Sequence, residues 1–292
     1  MGADLLTLDS IQAVLDIDAG NSETLLRGYI RKASDLVVQY TGRSFVPLWQ
    51  TRAYDACGEH VSSRELMLDD DLLDVVTLTN GEGEAIDADD LLLWPYNATP
   101  KQKVMLKASA PATFTAYTDD WRAAIQVAGI WGFHIQWPDA WVDTLDTVQD
   151  DPLTAATTTL TVTDSAGMDA RGVTPRFERL GYYRIEDEVV QALDVTVTPA
   201  TDEDDPAVHT LTIVRGQRGT TAADHAQGTA ITRYLPMQDV EQAALSLASW
   251  LYRNKEHTGE HFTFLDGSKL VTNVAPSHIK ETLKRYRRLR VE

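Results

Sequence analysis

GIWGFH (residues 129–134) closes an aromatic, alternating stretch, and PMQDVEQAALSLASWLYRNK (residues 236–255) opens an amphipathic one; what lies between them differs in composition from both. The two stretches read as one core interrupted by a guest. Residues 143–235 are rich in threonine, aspartate and valine. TTTLTVTD (157–164), YYRIEDEVVQALDVTV (182–197), TLTIVRG (210–216) and TAITRY (229–234) read as strands, parted by acidic or glycine turns. TDEDDP (201–206) reads as a hairpin tip whose charge keeps an edge from pairing with neighbours.

Outward from that guest, the flanks look helical at the ends and extended in the middle. Thr7 is placed to cap a first helix carrying Ile11, Val14 and Leu15, with Leu6 stapled onto Ile11. Asn21 or Ser22 is placed to cap a second, in which Leu25, Tyr29, Ala33, Leu36, Val37 and Tyr40 share a face and Gly42 supplies the left-handed end. From Phe45 the period changes to two. Strands are expected over residues 49–54, 74–79, 91–94, 103–106, 113–117 and 124–129, with Asn80-Gly81 as a tight turn. Asp69, Asp70, Asp71 and Asp74 lack calcium-loop spacing and read as a solvated loop. Pro236 starts a helix with Val240, Ala244, Leu247 and Leu251 on one stripe. A last helix from about Ser277 carries Ile279, Leu283 and Tyr286 on one stripe among Lys280, Lys284, Arg285, Arg287, Arg288 and Arg290.

Bulk properties narrow the function. The 292 residues are 43% hydrophobic, enough for one large or two ordinary packed cores. No run of apolar residues is long enough to span a membrane, and MGADLLTLDSIQ lacks the features of a secretory signal, so synthesis in a cytoplasm is expected. A single cysteine, Cys57, excludes an internal disulfide framework. The net charge of −18 argues against a surface that wraps nucleic acid. Beyond residue 235 alone do bases outnumber acids. The basic final helix is therefore expected to dock on an acidic protein surface, with contact to DNA phosphate second.

No catalytic constellation emerges. His257-Thr258-Gly259-Glu260-His261 has the order of a zinc-peptidase motif, but its glycine ends the preceding helix, so the imidazoles do not converge and no zinc hydrolase is expected. RGQRGTT (215–221) has glycines and arginines suited to an anion but neither the lysine nor the following helix of a P-loop, and reads as a strand-to-strand turn. No nucleophile elbow is present. No enzyme activity, cofactor or metal is expected.

The order of two N-terminal helices, LMLDDDLLDVVTLTNGEGEAI (66–86), DLLLWPYNATPKQKVMLK (90–107), GIWGFH and LPMQDVEQAALSLASWLYRNK (235–255) resembles the head-to-tail connector, or adaptor, proteins of long-tailed double-stranded DNA phages. The resemblance covers roughly residues 5–142 and 235–290. In that family the aromatic glycine strand runs almost directly into the proline-started helix; here the guest intervenes. The guest in turn resembles a small β module of phage virion proteins, through YYRIEDEVVQALDV and LTIVRGQRGTTAADHAQGTAI. The resemblance implies an α+β fold, a helical connector core with a small antiparallel sheet, plus an inserted all-β domain. The implied domains are residues 1–142 (core, N-terminal part), 143–235 (inserted β domain) and 236–292 (core, C-terminal helices and docking tail). It also implies a homo-oligomeric ring, usually a dodecamer, in the virion neck after assembly in the host cytoplasm. Such a ring meets the portal protein above and a neck or stopper protein on the tail side, and passes DNA without sequence specificity. The residues expected to grip the portal are Ile279, Leu283, Lys284, Arg285, Tyr286, Arg287, Arg288 and Arg290. In an alternative reading the guest binds a host glycan or a decoration protein.

Overall fold

The computed structural model describes residues 3–17, 20, 22–200, 207–254, 262–263, 269–270 and 277–288. In chain order the elements are α1 (Leu8–Leu15), α2 (Glu23–Thr41), β1 (Leu48–Tyr54), β2 (Glu65–Thr79), β3 (Leu91–Trp94), β4 (Lys101–Leu106) and β5 (Ile125–Trp131). They continue with β6 (Trp141–Thr147), β7 (Thr159–Val162), β8 (Tyr182–Ile185), β9 (Glu188–Thr198), β10 (Val208–Val214), β11 (Ala230–Tyr234), α3 (Gln238–Arg253) and α4 (Ser277–Lys284).

The chain is mostly β, which corrects the expectation of a helical core carrying a small sheet. The two main sheets are antiparallel, of five and six strands, and the described α-helices are four short ones. The reason lies in how the apolar residues are spaced. From Phe45 to Tyr234 they recur at period two, and helical spacing is confined to the chain's two ends.

The chain folds as two compact units. One comprises Arg43–Ala140 with Arg218–Thr220; the other gathers Met1–Gly42, Trp141–Gln217 and Thr221–Glu292. The helices at both chain ends thus share a unit with residues 143–217, and residues 43–140 form the continuous stretch that interrupts it.

In the five-stranded unit the order is β1-β5-β2-β4-β3. Leu66, Leu72, Leu78, Val104, Phe114, Ile125, Val127 and Trp131 fill its core. Strand β2 runs for 15 residues, pairing first with β4 and then with β5, so the acidic triplet lies on a strand and not in a solvated loop. Asp71 is buried in an ion pair with Arg43, whose guanidinium stands 4.3 Å from the Phe133 ring centre. Arg52 holds Asp69 at 3.1 Å and Asp70 at 2.7 Å while lying 4.4 Å from the Trp131 ring centre. Gly129 of GIWGFH sits where strands crowd, since a Cβ there would stand 2.6 Å from the Asp74 carbonyl oxygen. The strand expected over residues 113–117 does not form. Phe114 instead plugs the core and its amide donates to the Ser63 carbonyl, leaving Tyr117 a single bridge to Gly81.

In the other unit the order is β6-β11-β8-β9-β10-β7. Its two outer strands meet. The amide of Gln149, just past β6, donates to the Thr161 carbonyl of β7 at 3.0 Å; Asp146 accepts from the Thr163 and Asp164 amides, and Asp150 from that of Thr161. Carboxylates thus finish a ladder that the backbone leaves incomplete, and among the described residues no long edge is left between β6 and β7 to recruit another strand. Inside lie Val148, Leu160, Phe177, Tyr183, Ile185, Val190, Leu211, Ile213 and Ile231. The helices are bound to this sheet directly. Leu8 donates its amide to the Arg179 carbonyl at 2.8 Å, Arg179 pairs with Asp9 at 2.6 Å, and Arg27 donates to the Leu193 carbonyl at 2.8 Å.

Candidate partner-docking surface

The residues of the last helix separate into two groups. Ile279 and Leu283, four apart, fall on one face of α4 and are 2% and 3% exposed, packed within their own unit beside α3 and α2. They are core residues. Beyond the helix, the Tyr286 hydroxyl donates to Asp239 at 3.1 Å, at the acidic first turn of α3. The Arg288 amide donates to the Thr41 carbonyl at 2.7 Å, satisfying an end carbonyl of α2 that has no partner within its own helix. Tyr286 and Arg288 are half-buried by these contacts.

What remains outside is charge. Lys280, Lys284, Arg285 and Arg287 are exposed, with Glu281 among them. The structure therefore places seven of the eight expected docking residues on α4 and the turn after it, with Ile279 and Leu283 turned inward and Lys284, Arg285 and Arg287 outward. Arg290 lies outside the described residues, as do His257, Glu260, His261 and the acidic tip at residues 201–206. Among the described residues no group of three or more His, Cys, Asp or Glu side chains is placed to hold a metal ion, and no helix is long and apolar enough to cross a membrane.

The arginines of the glycine-rich turn are engaged within the chain. Arg215 donates to both oxygens of Glu188, at 2.8 and 2.7 Å, and to the carbonyls of Thr154 and Ala223. Arg218, in the left-handed region at φ 57°, donates to the Val46 and Pro47 carbonyls, both at 3.0 Å. Next to Arg218, Gly219 has φ +84° and lies so close to the Trp49 carbonyl that a Cβ would stand 2.0 Å from its oxygen.

Glu188 is the hub that the sequence reading missed. Its carboxylate is 1% exposed and also meets the Gly216 amide, the Ala223 amide and His225 Nε2, while His225 Nδ1 stands 2.8 Å from Glu186. Burial opposes ionisation, but Arg215, the Ala223 amide, His225 and the Gly216 amide together outweigh it and hold the carboxyl at about 2. The signal was present in YYRIEDEVVQAL, where the alternation of β9 puts Glu188 on the side of Val190 and Ala192. A buried carboxylate there requires a cation from elsewhere in the chain.

Leu145, Met168, Val173, Val197, Val208 and Val214 are the large apolar residues exposed among the described part of 143–235, and none is aromatic. The stacking surface that a sugar requires is thus missing from this segment's described residues. No protein-family model matches the chain, and no curated protein matches it either.

Proposed function

We propose that the chain is a non-enzymatic virion structural protein, a head-to-tail adaptor of a long-tailed phage. It forms a ring under the portal, joins the head to the next neck component and conducts DNA. One observation carries the reading: α4 is fixed to its own unit by Ile279 and Leu283, and presents Lys280, Lys284, Arg285 and Arg287 to solvent on a chain of net charge −18. A basic face on an acidic molecule directs one surface toward an acidic partner and keeps the rest apart from duplex phosphates. Multiplied around a ring, acidic walls repel DNA and let it slide.

Because the apolar stripe of α4 belongs to the core, deleting the helix would damage the fold as well as the docking. Charge reversal is the cleaner test. Filled heads carrying K284E/R287E are expected to accumulate without tails, as counted by electron microscopy of infected-cell lysates. Normal tailed particles from that variant, or location of the protein at the tail tip, would remove the adaptor reading.

A further inference from the structure

Beside the exposed bases lies a groove that the core does not fill. The end of α1, the second half of α3 and the start of α4 converge on a cleft of about 330 Å³, with Leu245 and Ile279 at its base and Val14, Trp250, Arg253 and His278 around it. Val14 is 47% exposed despite being apolar. Ser249, 6% exposed, also lines the cleft, and its buried hydroxyl has no hydrogen-bond partner among the described residues. A cleft of this size lies at the small end of ligand sites, with room for anchoring side chains and not for a large cofactor.

The charge of the lining indicates the occupant. The chain has 44 acidic residues, yet among the described residues no carboxylate lines this groove, where Arg253 supplies the charge and His278 an imidazole. An apolar base between helices, with a guanidinium at the rim, is the complement of an amphipathic segment whose apolar anchors are flanked by acids. We propose that the groove between α1, α3 and α4 seats an acidic amphipathic helix of the protein on which α4 docks, an apolar side chain entering over Leu245 and a carboxylate meeting Arg253. The identity of that protein rests on the adaptor reading; the chemistry of the groove does not.

The probe is a labelled synthetic helix with leucines at i, i+3, i+4 and i+7 and glutamates elsewhere, beside a twin carrying lysines for glutamates. Fluorescence anisotropy with the full chain is expected to show binding of the glutamate helix alone. S246W fills the groove from an exposed α3 position, R253E reverses its rim, and each is expected to weaken binding by about tenfold or more. Thermal melts confirm that both variants are folded. Equal binding of the two helices, no binding by the wild type, or unchanged binding by both variants would overturn the proposal. So would conversion of an oligomer to monomers by S246W with peptide binding intact, which would make the groove a contact between copies. If K284E/R287E loses head attachment while the peptide still binds, both readings stand; if heads attach normally and the peptide still binds, the adaptor reading fails and the groove remains.

Discussion

At the scale of single residues, the glycine-rich motif turns out to serve the fold. Glu188 collects Arg215, two backbone amides and His225 in a site closed to water, and removing it strands a guanidinium that is itself only 6% exposed. Breaking a buried pair by deleting one partner costs about 3–5 kcal/mol, because the remaining charge keeps its desolvation penalty. Glu188→Ala is therefore expected to lower the unfolding free energy in urea by about 4 kcal/mol; a loss below about 1 kcal/mol would place the stability elsewhere. Residue types alone did not reveal this hub. Arg215 and Arg218 look equivalent in RGQRGTT, yet one neutralises a buried acid and the other donates to backbone carbonyls, a difference set by partners distant in sequence.

At the scale of elements, local chemistry was legible where local chemistry decides. Thr7 caps α1, its hydroxyl accepting from the Ser10 amide, and Gly42 ends α2 in the left-handed region at φ 68°. The apolar stripe of α3 is buried at Val240, Ala244, Leu247 and Leu251. Failures fell where pairing overrides propensity. Asp69–Asp71 have poor strand propensity, yet they lie on β2 because Arg52 and Arg43 neutralise them; residues 113–117 alternate properly but have no neighbour to complete a ladder. The same logic exposes how α4 is held. Ile279→Asp would force a carboxylate against α3, and hydrogen exchange is expected to show α4 amides losing protection while those of β8 and β9 keep theirs. Unchanged protection in α4 would mean that Tyr286 and Arg288 suffice to hold it.

At the scale of the whole molecule, acids with opposed displacements set the response to pH. Burial pushes the Glu178 carboxyl up to about 7, with Arg233 opposing and Asp9 and Glu241 reinforcing it; Glu241 is raised by burial too. Both bind protons more tightly in the folded state, so their stabilising contribution is full below the unfolded value of 4.5 and is lost as pH rises, for Glu178 through about 7. Glu188 acts in reverse, stabilising above 4.5 and losing that contribution as pH falls toward about 2. The melting temperature is thus expected to fall from pH 5 to pH 8, with Glu178 responsible for at most about 3 kcal/mol of the decline. Glu178→Gln should flatten that slope, and an unaltered slope would remove Glu178 as its source.

The large-scale grouping was the least legible feature, because composition marks where a segment changes character and not which segments pack together. Threonine-rich residues 143–217 look foreign to the helices on either side, yet Asp9–Arg179 and Arg27–Leu193 bind them into one unit. That interrupted unit has a consequence in time. As the chain leaves the ribosome, the strands β1 to β5 emerge together and have nearly all their partners at hand, whereas α1 and α2 must wait for α3, whose residues are made some two hundred positions later. The basic face takes its place after α3, when the segment of α4 closes over Thr41 and Asp239. A chain truncated before α4 thus lacks the basic face that Lys280, Lys284, Arg285 and Arg287 form.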